Sequence, residues 1–165
     1  MAADRPETPP AGARGAARLG AVQALYQLDM TDTPIDDVVE EFTRHRLGGD
    51  IDDDKYLAAD NAHFTTIVRN TAAARADLDG VIDEALTTEW SVGRLDRVIK
   101  AILRAGCYEL RDRADVPPRV VISEYVDVAK AFFSGKEPGL VNGVLDRLAR
   151  RFRPDEMGGN GKEKS

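Results

Sequence analysis

The sequence has few of the residues that build disulfides, metal sites and nucleophilic active sites. It contains one cysteine, Cys107, and two histidines, His45 and His63. A single cysteine excludes an internal disulfide framework, and neither histidine stands in a spacing typical of zinc ligands. No G-x-S-x-G string and no GxxxxGKS or GxxxxGKT string is present, so nothing predicts an activated serine or a P-loop. We therefore expect a protein that is not an enzyme and needs no cofactor or metal.

Long apolar runs are also missing. No stretch approaches the ~18 residues that a membrane-spanning helix needs, and no signal peptide precedes the first predicted helix. We therefore expect a cytoplasmic chain that does not interact with membranes. Cys107 falls on an apolar helix face, where a small core-filling role is the expected one.

The charge of the chain is unevenly distributed. The formal net charge is −6, which taken alone argues against nucleic acid. Residues 29–60 hold eleven acidic and three basic side chains, whereas residues 94–153 hold thirteen basic and eight acidic ones. One part of the surface could therefore attract phosphate while another repels it.

Hydrophobic periodicity predicts an all-α protein. In Arg94–Leu110 the apolar residues recur at i, i+3 and i+4 steps, so this segment should be the central helix of a bundle. No segment alternates as a strand would. Residues 1–13 and 154–165 are polar and rich in proline or glycine, and we predict that both tails are disordered. About seven helices are predicted, near residues 14–30, 34–47, 55–76, 78–86, 91–111, 120–133 and 140–152.

Basic and aromatic residues at two places form a candidate surface for single-stranded RNA. Arginine and lysine would contact phosphates, and an aromatic ring could stack on an unpaired base. From the residues alone, a helical protein-interaction module or a homodimer without RNA binding remains an alternative. The candidates are Arg14, Arg18, Gln23 and Tyr26 in the first helix, and Lys130 and Lys136 near the SGKEPG loop.

Four strings occurring in order resemble the family of the bacterial transcription antitermination factor NusB, over residues 14–153. They are AVQALYQLD at Ala21–Asp29, AILRAGCYEL at Ala101–Leu110, VPPRVVISEYVDVAKAF at Val116–Phe132 and LVNGVLDRL at Leu140–Leu148. The resemblance implies one all-helical domain of two packed bundles, with subdomains near 14–76 and 77–153. It implies binding to the boxA RNA of ribosomal RNA leaders together with NusE, a small-subunit ribosomal protein. Such binding helps the RNA polymerase elongation complex to read through terminators.

The resemblance also assigns residues. It places RNA contacts at Arg14, Arg18, Tyr26 and Lys130, with Gln23 alongside. This chain departs from the family where Leu140 stands before VNG, a position commonly held by an aromatic residue, and where Lys136 stands at a position that can be acidic. We include Lys136 and Leu140 in the predicted RNA surface. Arg97 and Lys100 are the predicted partner-protein face, and ion pairing at a buried edge is expected for Arg104 and Glu109.

Overall fold

The computed structural model of the chain describes residues 9–46, 54–86 and 91–162, and this part is helical throughout, without a strand. A π-helical turn, Phe42–Arg46, follows the second helix, and a 3-10 turn, Val92–Arg94, precedes the fifth. The all-α prediction is confirmed. None of the helices described is long and apolar enough to cross a membrane. There are eight described α-helices, one more than predicted: α1 Pro9–Met30, α2 Ile35–Glu41, α3 Asp54–Ala73, α4 Arg75–Ala85, α5 Arg97–Asp112, α6 Pro118–Phe132, α7 Glu137–Phe152 and α8 Pro154–Lys162.

The first of two compact units, residues 1–69, contains α1, α2, the π-helical turn and most of α3. Its core includes Phe42 and Phe64, whose stacked rings have centroids 5.6 Å apart. Pro34 is the N-cap of α2, and its carbonyl accepts a bond from the Val38 amide at 3.1 Å. The predicted end of this helix, near residue 47, lies outside the described residues. The other buried apolar side chains of the unit are Ala17, Ala21, Val22, Ala24, Leu25, Val38, Val39, Ile67 and Val68.

The second unit, residues 70–165, is built around α5. Every residue from 101 to 110 is buried, and α5 packs against α4, α6 and α7. A Cβ at Gly106 would lie 2.9 Å from a methyl carbon of Leu145, so glycine is what allows α7 to approach α5 this closely. The prediction of a central helix is therefore confirmed. The unit boundary falls at Arg69–Asn70, inside α3, whereas the resemblance placed it near residue 76.

The central helix begins at Arg97 instead of near Ser91. The side chain of Asp96 accepts the Val98 amide at 2.7 Å, which is an N-cap bond. The residues before it form the 3-10 turn, whose Val92 amide donates to the Asp83 carboxylate at 2.8 Å. This bond ties the start of the turn to α4.

Both segments predicted to be disordered tails contain helix where the structure describes them. Helix α1 begins at Pro9, five residues before the predicted start. Residues 154–162 form α8, and Met157 in this helix is fully buried. The glycines in this segment disfavour a helix, but burial of Met157 and the bonds made by Arg153 hold the helix in place.

Arg153 fixes the C-terminal end of α5. Its guanidinium donates to the carbonyl oxygens of Leu110 at 2.9 Å, Arg113 at 2.7 Å and Val116 at 2.9 Å. A longer bond of 3.3 Å reaches the Glu109 carbonyl. The last carbonyls of a helix have no partner within it, and a cation there also interacts favourably with the helix dipole. One side chain from the end of α7 therefore supplies hydrogen bonds to the backbone carbonyls at the end of α5 and in the connection that follows it.

The structure shows the expected ion pair for Arg104, whereas the described partner of Glu109 is a hydroxyl group. Arg104 binds Asp79 of α4 through two bonds, at 2.7 and 2.9 Å. Glu109 is fully buried and accepts the Tyr125 hydroxyl at 2.5 Å. Arg104 connects α5 to α4, and Glu109 connects α5 to α6. Both residues, which belong to the AILRAGCYEL string, therefore have a structural role in the second unit.

Candidate nucleic-acid interface

The first helix presents only part of its predicted RNA set to solvent. Arg14 is exposed, Gln23 is half-buried, and Tyr26 is 37% exposed. No acidic group in the described part of the chain pairs with Arg14. Arg14 can therefore meet a phosphate, and Tyr26 can offer part of its ring to a base.

Arg18, also predicted to contact RNA, differs from Arg14 because it is buried. It is only 1% exposed and is bonded within the fold. The reason is its position one turn before Ala21 and Val22, on the side of α1 that is buried. The residues around it in sequence suggest no partner, so its burial could not be expected from α1 alone. In this conformation its guanidinium cannot reach an external phosphate.

The connection between α6 and α7 carries the predicted residues of the second unit. The last backbone bond of α6 runs from the Phe133 amide to the Ala129 carbonyl at 2.9 Å. Lys130 and Lys136 are exposed on either side of this connection, and no carboxylate of the described residues pairs with them. Leu140 is half-buried, and its amide donates to the Lys136 carbonyl at 3.1 Å.

Phe132 is an exposed aromatic residue that the predicted RNA surface did not include. The sequence had pointed only to Leu140 in this region, at a position where the family commonly has an aromatic residue. Phe132 is in fact 39% exposed and lies two residues after Lys130. Its ring contacts that of Phe133, with centroids 6.4 Å apart. A ring for stacking is therefore available, and the only sequence signal for it was a second aromatic residue at the helix end.

Most arginines of the basic region form ion pairs or hydrogen bonds within the second unit. On α7, Arg147 donates to the Ala85 carbonyl at 2.7 Å, and Arg150 pairs with Asp146 at 2.9 Å. Arg151 pairs with Glu84 at 2.5 Å. Fewer arginines of this region are therefore available to contact phosphate than the composition suggested. Further pairs that use arginines are Arg104–Asp79, Arg111–Asp112, Arg113–Asp115 and Arg153–Glu156.

A cleft of about 620 Å³ runs between α6 and α7 and includes Lys130. Its α6 wall presents Arg119, Ser123 and Asp127, all exposed, and its α7 wall presents Asn142. The cleft carries charges of both signs, so it is not a simple phosphate groove. Its other lining residues are Ile122, Val126, Pro138, Gly139 and Asp146.

The predicted partner-protein residues lie in the first turn of α5. Arg97 is exposed and takes part in an interaction within the chain, and Lys100 is half-buried. Residues three apart share a helix face, so the two cations lie close together.

Cys107 is confirmed as a core residue. It is fully buried, and burial raises the pKa of its thiol from 9.0 to about 12. At neutral pH the thiol is therefore protonated and unsuited to act as a nucleophile. Across residues 9–46, 54–86 and 91–162, no group of three or more His, Cys, Asp or Glu side chains is placed to hold a metal ion.

Comparison with known proteins identifies relatives over most of the chain. A family model described as the NusB family matches residues 15–150. The "Transcription antitermination protein NusB" of Rhodopseudomonas palustris strain BisB18 is 51% identical over 147 residues, covering 89% of this chain and 87% of that protein. A solved structure of T. maritima NusB superposes with a TM-score of 0.73 at 28% identity, covering 88% of this chain and 96% of that one.

A second solved structure resembles the fold at lower identity. It is a structure of the antitermination factors NusB and NusE in complex with double-stranded RNA. It superposes with a TM-score of 0.71 at 24% identity, covering 85% of this chain and 98% of that one.

Proposed function

Because the chain belongs to the NusB family, we propose that it binds the boxA RNA of ribosomal RNA leaders together with NusE, as a transcription antitermination factor. Antitermination acts on the transcribing polymerase, so the proposal places the protein in the cytoplasm with the elongation complex. Its role there is regulatory and not catalytic, in keeping with the buried, protonated thiol of Cys107.

One observation supports the RNA contact most directly. Lys130, Phe132 and Lys136 are exposed together at the α6–α7 connection, and no described acidic group neutralises the two lysines. Cations beside an exposed aromatic ring suit a single RNA strand, because the cations bind its phosphates and the ring stacks on an unpaired base. We propose a second contact on the first unit at Arg14, Gln23 and Tyr26. Leu140 contributes apolar contact only.

Arg18 takes a different place in this proposal. Since it is buried, we propose that it supports α1 from within and does not touch RNA. We propose that Arg97 and Lys100, on one face of α5, contact NusE.

The lysine contacts are tested by titrating labelled boxA RNA with and without NusE. We expect Lys130→Ala with Lys136→Ala to weaken binding and to lower the salt slope by about 1.4, because each phosphate that a lysine neutralises on a single strand adds ~0.7 to the slope. The matched control is Arg150→Ala, which also removes exposed positive charge but from a residue already paired with Asp146. An unchanged slope in the double variant would remove the lysines from the interface.

The ring is tested separately. Phe132→Leu should weaken boxA binding by about 1–3 kcal/mol, and Phe132→Tyr should keep most of the affinity because the ring remains. Equal losses in both variants would show that the position matters for packing and not for stacking. Failure of wild-type protein to bind boxA RNA, with or without NusE, would favour a helical interaction module without RNA.

A further inference from the structure

The cleft between α6 and α7 contains two polar side chains without a partner in the described part of the chain. Asp127 on α6 and Asn142 on α7 are both exposed, and among the described residues neither has a side-chain hydrogen bond or an ion pair. The other carboxylate of the cleft, that of Asp146, already pairs with Arg150 at 2.9 Å. The carboxylate of Asp127 is therefore the one that a ligand in this cleft can use.

Asp127 and Asn142 lie at the same level of the cleft. Asp127 is five residues before the end of α6 at Phe132, and Asn142 is five residues after the start of α7 at Glu137. Helices joined by a connection as short as residues 133–136 are antiparallel neighbours. Both residues therefore lie about 7.5 Å along their helices from the connection. A flat group at this level can meet the carboxylate with one edge and the amide with another.

Guanine is the RNA base whose edges match these two groups. A carboxylate only accepts hydrogen bonds, and it can accept two side by side. The Watson–Crick edge of guanine has two adjacent donors, N1–H and the N2 amino group, whereas each of the other three bases places an acceptor beside its donor. The amide NH2 of Asn142 can donate to O6 or N7, the two acceptors that guanine presents on its Hoogsteen edge.

The cleft also suits the rest of a nucleotide. Val126 on one wall and Pro138 on the other are half-buried and give the cleft apolar surface that a flat base can contact. Lys130 lies three residues after Asp127, so the two side chains share a face of α6. Since Lys130 is exposed in the same cleft, a nucleotide whose base meets Asp127 has a cation for its phosphate about one helical turn away.

The negative charge of Asp127 provides selectivity between bases. A carboxylate near Lys130 repels phosphate, so it weakens the binding of a nucleotide whose base cannot donate to it. Two donors on one base offset this repulsion, whereas adenine would place the lone pair of its N1 against the carboxylate. The same side chain therefore favours guanine and disfavours the other bases.

We propose that the α6–α7 cleft binds a guanine nucleotide, with the base between Asp127 and Asn142 and the phosphate at Lys130. The nucleotide is either a guanosine of the RNA strand or a free guanine nucleotide, since both present the same base and phosphate. In the first case the inference rests on the proposed RNA binding and makes Asp127 a specificity-determining residue. In the second case the cleft holds a ligand that competes with RNA for Lys130.

Short labelled oligouridine strands that differ only at their central base test the preference in the full chain. The strand with a central guanosine should bind about tenfold more tightly than the strand with a central adenosine, because two bonds to a charged acceptor are lost. Inosine lacks only the N2 amino group, so the inosine strand should bind with an affinity between the two.

Two substitutions separate base reading from general charge. Asp127→Asn offers one acceptor and one donor, which match the N6 amino group and N1 of adenine. The guanosine preference should therefore fall below about twofold, while the adenosine strand binds more tightly than it does to wild type; misfolding cannot produce this gain. Asp146→Asn removes the same charge from the same cleft, at a residue already paired with Arg150, and should keep the wild-type preference.

Calorimetric titration of the chain with GMP and AMP distinguishes the two sources. Binding of GMP but not AMP, abolished in Asp127→Asn, would assign the cleft to a free nucleotide, and a guanosine preference seen only in strands would assign it to RNA. The proposal is overturned if neither strands nor GMP show a guanine preference, or if Asp146→Asn removes the preference as fully as Asp127→Asn. Wild-type protein that binds boxA RNA with NusE but shows no guanine preference would refute the cleft assignment alone. Binding of GMP without binding of any strand would instead refute the proposed RNA function and support the cleft.

Discussion

Arg153 should contribute more to stability than any exposed arginine of the chain. Replacing it with methionine keeps the apolar stem of the side chain but removes every donor that serves the end of α5. The carbonyls of Leu110, Arg113 and Val116 would each lose a bond of 2.7–2.9 Å, and the Glu109 carbonyl would lose one of 3.3 Å. A buried acceptor left without a partner costs about 1–3 kcal/mol.

The Glu109 and Arg113 carbonyls keep backbone bonds from the Arg113 and Val116 amides at 3.0 Å. The Leu110 and Val116 carbonyls lose the bond that Arg153 gives them, so the expected loss is about 2–4 kcal/mol. For a chain of this size, 1 kcal/mol shifts the melting temperature by about 2–4 °C, so Tm should fall by about 4–16 °C. Thermal unfolding followed by far-ultraviolet circular dichroism measures this shift. Arg153→Lys should fall in between, since one ammonium cannot serve all four carbonyls.

The matched control is Arg150→Met, about one turn earlier along α7. Its guanidinium pairs only with Asp146, and both side chains are largely exposed. Such i,i+4 pairs contribute about 0.3–0.5 kcal/mol, so Tm should move by less than about 2 °C. If Arg153→Met melts within about 2 °C of Arg150→Met, the assignment of Arg153 as the cap of α5 is wrong.

Three further predictions concern the core of the second unit. Burial raises the thiol pKa of Cys107 from 9.0 to about 12. The protonated thiol therefore contributes fully to the free energy of unfolding below pH ~9, and this contribution declines as the pH rises toward 12. In denaturant titrations the free energy of unfolding of Cys107→Ala should fall less steeply with alkaline pH than that of the wild type. Gly106→Ala should unfold about 1–3 kcal/mol more easily than Gly143→Ala in urea, because an added methyl meets Leu145 at the first site and open space at the second. Arg104→Met with Asp79→Asn should give a double-mutant coupling of about 1–3 kcal/mol, and a value near zero would rule out a strong pair.

The central helix could be predicted from sequence because its burial is periodic. Apolar residues at i, i+3 and i+4 steps between Leu95 and Leu110 form a continuous stripe only in a helix, and that stripe is buried. The structure keeps residues 101–110 entirely buried. The burial of Cys107 could be predicted in the same way, because Cys107 lies on this apolar stripe.

The missed features share a physical cause, which is contact between residues distant in sequence. Arg151 pairs with Glu84 and Arg147 with the Ala85 carbonyl, and no local pattern connects residues so far apart. Helix α8 has a glycine-rich sequence and exists because Met157 is buried. The burial of Arg18 has the same cause: its charge suggested exposure to solvent, but tertiary packing buries it.

Because most arginines of the second unit form ion pairs or hydrogen bonds within the fold, few cations remain for contact with RNA phosphates. Of the proposed phosphate contacts, only Arg14, Lys130 and Lys136 are exposed and free of described acidic partners. Three contacts to a single strand give a salt slope of only about −2, against the −5 or so that seven would give. So little electrostatic affinity leaves the chain dependent on stacking at Phe132 and on contacts supplied by a second protein. Joint binding with NusE is then a physical expectation: the complex should show a steeper salt slope than this chain alone, and equal slopes would show that the partner adds no phosphate contacts.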